Sequence, residues 1–179
     1  MSPALSRWSL LWAMLAGATA VVSFAPLTWW PVQIASLAVL LWLALAQTAV
    51  RRSALIGWSF SVGWMVAGTH WLYTSLHDYG GLPGPLAIAA VLLLSAAMAL
   101  YTAMAMAAGT WLRLRCALSP ATTLLLVYPP LWALAEWLRN WVATGFPWIV
   151  SGYAHVNSPL AGYAPLVGVY GIGWLAAHN

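Results

Sequence analysis

Leu86 to Leu112 reads LAIAAVLLLSAAMALYTAMAMAAGTWL, a run without a single charged side chain. A helix needs roughly 20 apolar residues to cross about 30 Å of hydrocarbon, and this run exceeds that length. Its alanines (Ala89, Ala90, Ala96, Ala97, Ala99, Ala103 and Ala105) predict close helix packing, and Arg113 and Arg115 close it. Working outward, the same reading repeats on both sides. Thr74 to Pro85, rich in glycine and proline, is expected to be a loop. Before it, Ala54 to Tyr73 forms an apolar run with Gly57, Gly63 and Gly68, small residues that let neighbouring helices approach. Val32 to Val50 forms another, stopped by Arg51 and Arg52. Trp8 to Phe24 forms the first, closed by Ala25-Pro26. Arg7 and the small residues Ala16-Gly17-Ala18 suit a cleaved signal peptide, but further apolar runs follow, so the segment reads as a retained span.

Beyond Arg115, Ser119-Pro120 has the form of an N-cap followed by proline in the first turn. The fifth run continues to Leu138, with a kink or break expected at Pro129-Pro130. Asn140 to Pro165 mixes glycine, proline and aromatic residues and is too apolar for an ordinary loop, so it is expected to lie at the membrane interface or to re-enter it. Pro165 opens a sixth helix, but about 14 residues reach only roughly 21 Å. The expected fold is therefore an all-α integral membrane protein. It has five full transmembrane helices, a partial sixth and an interfacial aromatic segment, in one polytopic domain over residues 1–179.

Composition agrees. Of 179 residues, 64% are hydrophobic and 4% charged, too few charges to cover a water-soluble surface. All six basic residues are arginines, and the acids are Asp78 and Glu136 alone. The arginines sit singly or in pairs at the ends of apolar runs rather than on one face, which excludes a nucleic-acid binder. Trp8, Trp29, Trp30, Trp71, Trp111 and Trp141 fall near run ends, where an amphipathic ring suits the headgroup level. With a cytoplasmic N-terminus, Arg7, Arg51, Arg52, Arg113 and Arg115 all lie inside and only Arg139 outside, as the positive-inside rule asks. Ser75 to Pro85 and Asn140 to Pro165 then share the outer face.

Few residues are candidates for chemistry. Glu136 and Arg139 are three apart, so a helix sets them side by side near the outer end of the fifth run. An ionisable residue in a membrane helix suggests function, and an anchoring interfacial ion pair is the plainer reading. His70 and His77 would stand about 10 Å apart on a helix, too far to share a metal ion, and no metal site is expected. His77-Asp78 is a candidate for orienting a headgroup, and an ordinary solvated loop explains the two residues equally well. Cys116 lies beside Arg113 and Arg115 but has no neighbouring base, and reads as a passive small residue. No phosphate-binding glycine loop or dinucleotide fingerprint is present, so no cofactor is expected. Thr144-Gly145-Phe146-Pro147-Trp148 brackets a proline with aromatic rings, suited either to wedge between lipid chains or to sit as part of an interfacial aromatic belt.

These residues also carry a resemblance. Glu136-x-x-Arg139, Thr144-Gly145-Phe146-Pro147-Trp148, Gly152-Tyr153 and Pro159-Leu160-x-Gly162-x-Ala164-Pro165-x-x-Gly168-Val169 resemble the bacterial apolipoprotein N-acyltransferases. Phe24-Ala25-Pro26 with Trp30-Pro31, Gly68-x-x-Trp71-x-Tyr73-x-Ser75 and Gly80-Gly81-x-Pro83 precede them in the same order. The resemblance implies a multi-pass enzyme of the bacterial inner membrane. Such an enzyme moves an acyl chain from a phospholipid, typically phosphatidylethanolamine, to the N-terminal diacylglyceryl-cysteine of a lipoprotein. It also implies a Glu-Lys-Cys triad in a nitrilase-like domain that follows the helices. This sequence has no lysine, and its one cysteine lies at the wrong end. It is thus similar to the N-terminal membrane portion only, with no catalytic residue expected in this chain. Gly145, Phe146, Pro147, Trp148, Glu136, Arg139 and His77 are the expected lipid-substrate residues. A small transporter subunit and a structural membrane scaffold are the competing readings.

Overall fold

The computed structural model describes residues 3–178, with side chains described from residue 8 onward; the Arg7 side chain used above lies outside that range. Every regular element among the described residues is helical: α1 Pro3–Ala20, α2 Trp30–Leu45, α3 Val50–Thr69, α4 Trp71–Thr74, α5 Gly84–Arg115, α6 Pro120–Thr122, α7 Tyr128–Arg139 and α8 Ala164–Ala176.

Several boundaries differ from the sequence reading, each for a local reason. The break after α2 comes at residues 46–49, so Arg51 and Arg52 begin α3 rather than end α2. The segment expected as a loop stays helical to Tyr79. A π-turn over Ser75–Tyr79, in which Gly80 N–H reaches back to Ser75 O at 3.0 Å, continues α4. A second π-turn, Thr123–Val127, precedes Pro129-Pro130. Proline lacks an N–H and its ring presses on the carbonyl four residues back, and the wider turn makes room for it. The expected break is therefore displaced to the turn in front of the prolines. Gly168, at φ +64°, interrupts α8.

α3 lies at the centre, packed on α1 and α5. Its three glycines each admit a different neighbour. A Cβ on Gly57 would stand 2.7 Å from Thr102 O of α5, one on Gly63 2.1 Å from Met14 O of α1, and one on Gly68 2.6 Å from the Ile149 side chain. α1 answers with Gly17, whose Cβ would meet Phe60 O at 1.9 Å. Glycine to alanine inside a helix is ordinarily favourable by about 1 kcal/mol. Here Gly63→Ala is expected to lower stability by about 1–3 kcal/mol, because a backbone carbonyl cannot swing aside as a side chain does. Thermal unfolding in detergent reads the sign, and a stabilised Gly63→Ala protein would show that α1 is not seated this way.

Leu40, Ile56, Phe60, Trp64 and Trp132 fill an apolar core, yet the outer surface is apolar too and several polar groups lie inside. Ser9, Gln33, Ser53, Ser61, Thr110, Glu136, Arg139 and His155 are buried, whereas Leu93, Leu126 and Leu166 are 71%, 70% and 82% exposed. The buried hydroxyls join helices: Ser53 Oγ donates to Met106 O at 3.0 Å, and Thr110 Oγ1 lies 2.7 Å from Ser53 Oγ and 3.0 Å from the Tyr128 hydroxyl. This ties α3, α5 and α7 at one end of the bundle. α5 is the one described helix long and apolar enough to cross a membrane, while Trp8–Ser23 and Trp30–Leu45 are shorter apolar helices.

Candidate functional site

At the opposite end of the bundle from Ser53, α7 finishes in Glu136 and Arg139, one helical turn apart and both about 97% buried. Burial of a charge demands partners, and here they come from across the fold. Glu136 Oε1 accepts from Ser151 N–H at 2.8 Å and Oε2 from Ser151 Oγ at 2.5 Å. Trp132 Nε1, one turn back on α7, lies 3.2 Å from the same hydroxyl. Arg139 stands 3.7 Å from Glu136 Oε1, reaches Met65 Sδ at 3.4 Å and sits 5.6 Å from the centre of the Trp64 ring. The pair is therefore an interior fixture and not an exposed interfacial anchor.

What it fixes is the strap between α7 and α8. Phe146 N–H donates to Arg139 O at 2.8 Å, so the chain doubles back directly after α7. Gly145 makes that turn at φ +82°, where a Cβ would stand 1.9 Å from Asn140 O. Ala143, Thr144 and Ile149 also adopt positive φ, at 53°, 74° and 50°. Each such residue costs on the order of 1–3 kcal/mol and persists only where its surroundings hold it. Here Ile149 packs into the notch at Gly68, Phe146 turns half-buried against the core, and Trp148 meets Trp71 edge to face at 5.3 Å. Pro147 and Trp148 face outward, the latter 50% exposed. α8 closes the back: Gly173 has no room for a Cβ beside Ser151 Oγ (2.4 Å) and Glu136 Oε2 (3.0 Å), and Asn140 Nδ2 donates to the Tyr170 hydroxyl.

A second buried contact secures the far part of the strap. His155 is fully buried, with Nε2 donating to Gln33 Oε1 of α2 at 2.5 Å and Nδ1 3.2 Å from Ser158 Oγ. Burial pushes its pKa below the ordinary histidine value and keeps the ring neutral. The unfolded chain thus binds a proton first. The stability this site contributes is complete above about pH 6.5 and is lost as pH falls below it. Thermal stability is expected to drop between about pH 7 and pH 5, and His155→Gln to flatten that slope. An unchanged slope in the variant would place the titration elsewhere.

Of the residues singled out by sequence, Glu136, Arg139, Gly145, Phe146, Pro147 and Trp148 converge on this one structure. His77 does not join them. Its Nδ1 lies 2.7 Å from Leu82 O, and the ring also meets Tyr73 and Asp78 on its own segment. Ser151, Trp132, Gly173 and the Gln33–His155 pair went unread. Gln33, an amide within an apolar run, was the available signal for a buried polar contact. Ser151 Oγ is fully buried and already bonded to a carboxylate, and Cys116 is exposed beyond the far end of α5. The arrangement pins the strap from within and leaves Pro147 and Trp148 on its outer side.

Residues 16–178 match the family described as the apolipoprotein N-acyltransferase N-terminal domain. The chain is similar to an apolipoprotein N-acyltransferase of Ralstonia nicotianae, 47% identical over 173 residues that cover 96% of this chain and 32% of that protein. It is similar to that of Chromobacterium violaceum, 44% identical over 172 residues that cover 94% and 32%. It is also similar to that of Photobacterium profundum, 40% identical over 163 residues that cover 91% and 31%. The chain spans about a third of the length of these relatives.

Proposed function

The chain belongs to the apolipoprotein N-acyltransferase N-terminal domain family, and from that membership we propose that it is the membrane portion of such an enzyme. In this reading it holds lipid substrates for acyl transfer from a phospholipid of the phosphatidylethanolamine type to the N-terminal diacylglyceryl-cysteine of a lipoprotein. Catalysis belongs to the part of the relatives' length that this chain does not span. The chain alone is expected to be inactive.

The observation that carries the reading is the pinned strap. A strained aromatic segment, locked by a buried carboxylate, leaves Pro147 and Trp148 directed outward at the end of the bundle away from Arg51, Arg52 and Arg113. Both substrates have their reacting atoms at headgroup depth, so a rigid aromatic ledge there positions an acyl chain without touching the reacting bond. The large apolar side chains exposed on its outer surface, Leu93, Leu126 and Leu166 among them, support a bundle solvated by lipid. On this basis we assign five spans (α1, α2, α3, α5 and the α6–α7 unit) and a partial sixth in α8. Arg51, Arg52, Arg113 and Arg115 are assigned to the cytoplasmic side and the strap to the outer face of the bacterial inner membrane.

A phospholipid carrying a photoactivatable acyl chain, reconstituted with the chain in liposomes, tests this reading. Cross-links are expected to concentrate on Trp71, Pro147 and Trp148 and to fall several-fold in Trp148→Ala. Solute flux through the same liposomes, with no concentration of cross-links at the strap, would favour a transporter subunit instead.

A further inference from the structure

One stripe of α3 borders a groove remote from the strap. Arg51, Ala54, Leu55 and Trp58 recur at i, i+3, i+4 and i+7 and face Leu100 and Ala103 of α5 across a space of about 350 Å³. Apart from Arg51 every lining residue is apolar. The Trp58 indole is fixed by its N–H, which donates to Ala96 O at 3.0 Å.

Arg51 stands at one end of the groove, exposed, with no hydrogen-bond or ion-pair partner among the described residues. Its neighbours at this end are also cationic: Arg52 donates to Ser9 Oγ at 3.0 Å, and Arg113 donates to Gln47 O. Both acids lie toward the other end. Glu136 pairs with Arg139, which contacts Met65, roughly 21 Å along α3 from Arg51, and Asp78 sits in the turn beyond α4. Arg51 and Arg52 occupy the first turn of α3, the positive end of its dipole, and the N-cap residue Ala49 offers no side-chain acceptor. A cation there is poorly placed unless an anion joins it.

From this juxtaposition of an unneutralised guanidinium, an uncapped helix N-terminus and an alkyl-lined groove, we infer that the α3–α5 groove binds an anionic phospholipid. Its phosphate sits on Arg51 and one acyl chain lies along Leu55, Trp58, Leu100 and Ala103. A soluble anion has no use for the groove, and a zwitterionic lipid brings no net charge to the guanidinium. The inference rests on the membrane reading above but not on acyl transfer, and the site is separate from the strap.

Native mass spectrometry of the full chain, released from micelles holding equal amounts of phosphatidylglycerol and phosphatidylcholine, tests it. Retained phosphatidylglycerol is expected to exceed phosphatidylcholine about five-fold, and Arg51→Gln to remove that preference. Arg115→Gln, an exposed arginine outside the groove, is expected to leave it in place. Ala103→Trp, which fills the groove, is expected to reduce retention while Arg51 is intact. Glycerol phosphate, a headgroup without a tail, is expected to compete weakly. Equal retention of the two lipids, an Arg115→Gln loss matching Arg51→Gln, or full competition by glycerol phosphate would each overturn the site while leaving the membrane reading intact. Failure to retain any phospholipid would count against both.

Discussion

Glu136→Leu is expected to destabilise the folded chain by about 3–5 kcal/mol, because it leaves the Arg139 guanidinium buried without its counter-charge. The same change strips Ser151 N–H and Oγ of their acceptor and releases the strap whose backbone is strained at Ala143, Thr144 and Ile149. Two comparisons separate these effects. Glu136→Gln keeps one carbonyl acceptor for Ser151 and is expected to lose less. Glu136→Leu combined with Arg139→Met removes both charges and is expected to recover much of the loss, since a buried ion pair replaced by apolar groups is often neutral or better. Denaturant titration in detergent reads the stabilities, and limited proteolysis between residues 140 and 163 reads the strap. A Glu136→Leu protein as stable and as resistant as the parent would falsify the pin.

Trp132→Ala carries the second large effect, again about 3–5 kcal/mol. Trp132 is 1% exposed, stacks on Trp64 with ring centres 5.4 Å apart and meets Phe60 edge to face at 6.1 Å. Its indole N–H also reaches Ser151 Oγ. Trp132→Phe loses that hydrogen bond and part of the ring, for an expected cost of about 1 kcal/mol from the bond beyond that of the lost ring area. Because Trp132 and Glu136 hold the same hydroxyl, their substitutions are expected to be non-additive by 0.5 kcal/mol or more. Trp137, on the outward side of the same helix and 44% exposed, is the internal control. Its replacement by alanine should shift stability by less than about 0.5 kcal/mol. Equal losses at Trp132 and Trp137 would mean that α7 does not face inward as described.

The sequence was most informative where structure is local. The apolar runs foretold α1, α2, α3 and α5 to within a few residues, and Pro165 did open the last helix. The three glycines of α3 were legible as packing residues, although not which neighbour each one admits. The segment from Thr74 to Tyr79 was misread because the glycines and prolines from Gly80 to Pro85 suggested a loop over the whole stretch, whereas a π-turn keeps Ser75–Tyr79 inside a continuous helix. Similarly, Pro129-Pro130 announced an interruption but not that the chain would widen one turn earlier. For the strap, spacing alone joined Glu136 to Arg139. Ser151, fifteen residues further on and separated by a run of irregular backbone, had no spacing rule to reveal it.

By itself the sequence determined that the chain is helical, that its helices are apolar over most of their surface, and that Glu136 and Arg139 stand one turn apart. Those are consequences of run length, composition and the 3.6-residue period, which need no knowledge of the fold. The tertiary structure alone decided which faces turn inward, since a helix apolar all round carries little pattern to point it. It also decided that Glu136 holds Ser151, that α3 presents Gly68 to Ile149, and that Arg51 is left at the mouth of a groove without a counter-charge. Each is a contact between segments distant in the chain, settled by how closely backbones can approach and by where a buried charge finds its hydrogen bonds.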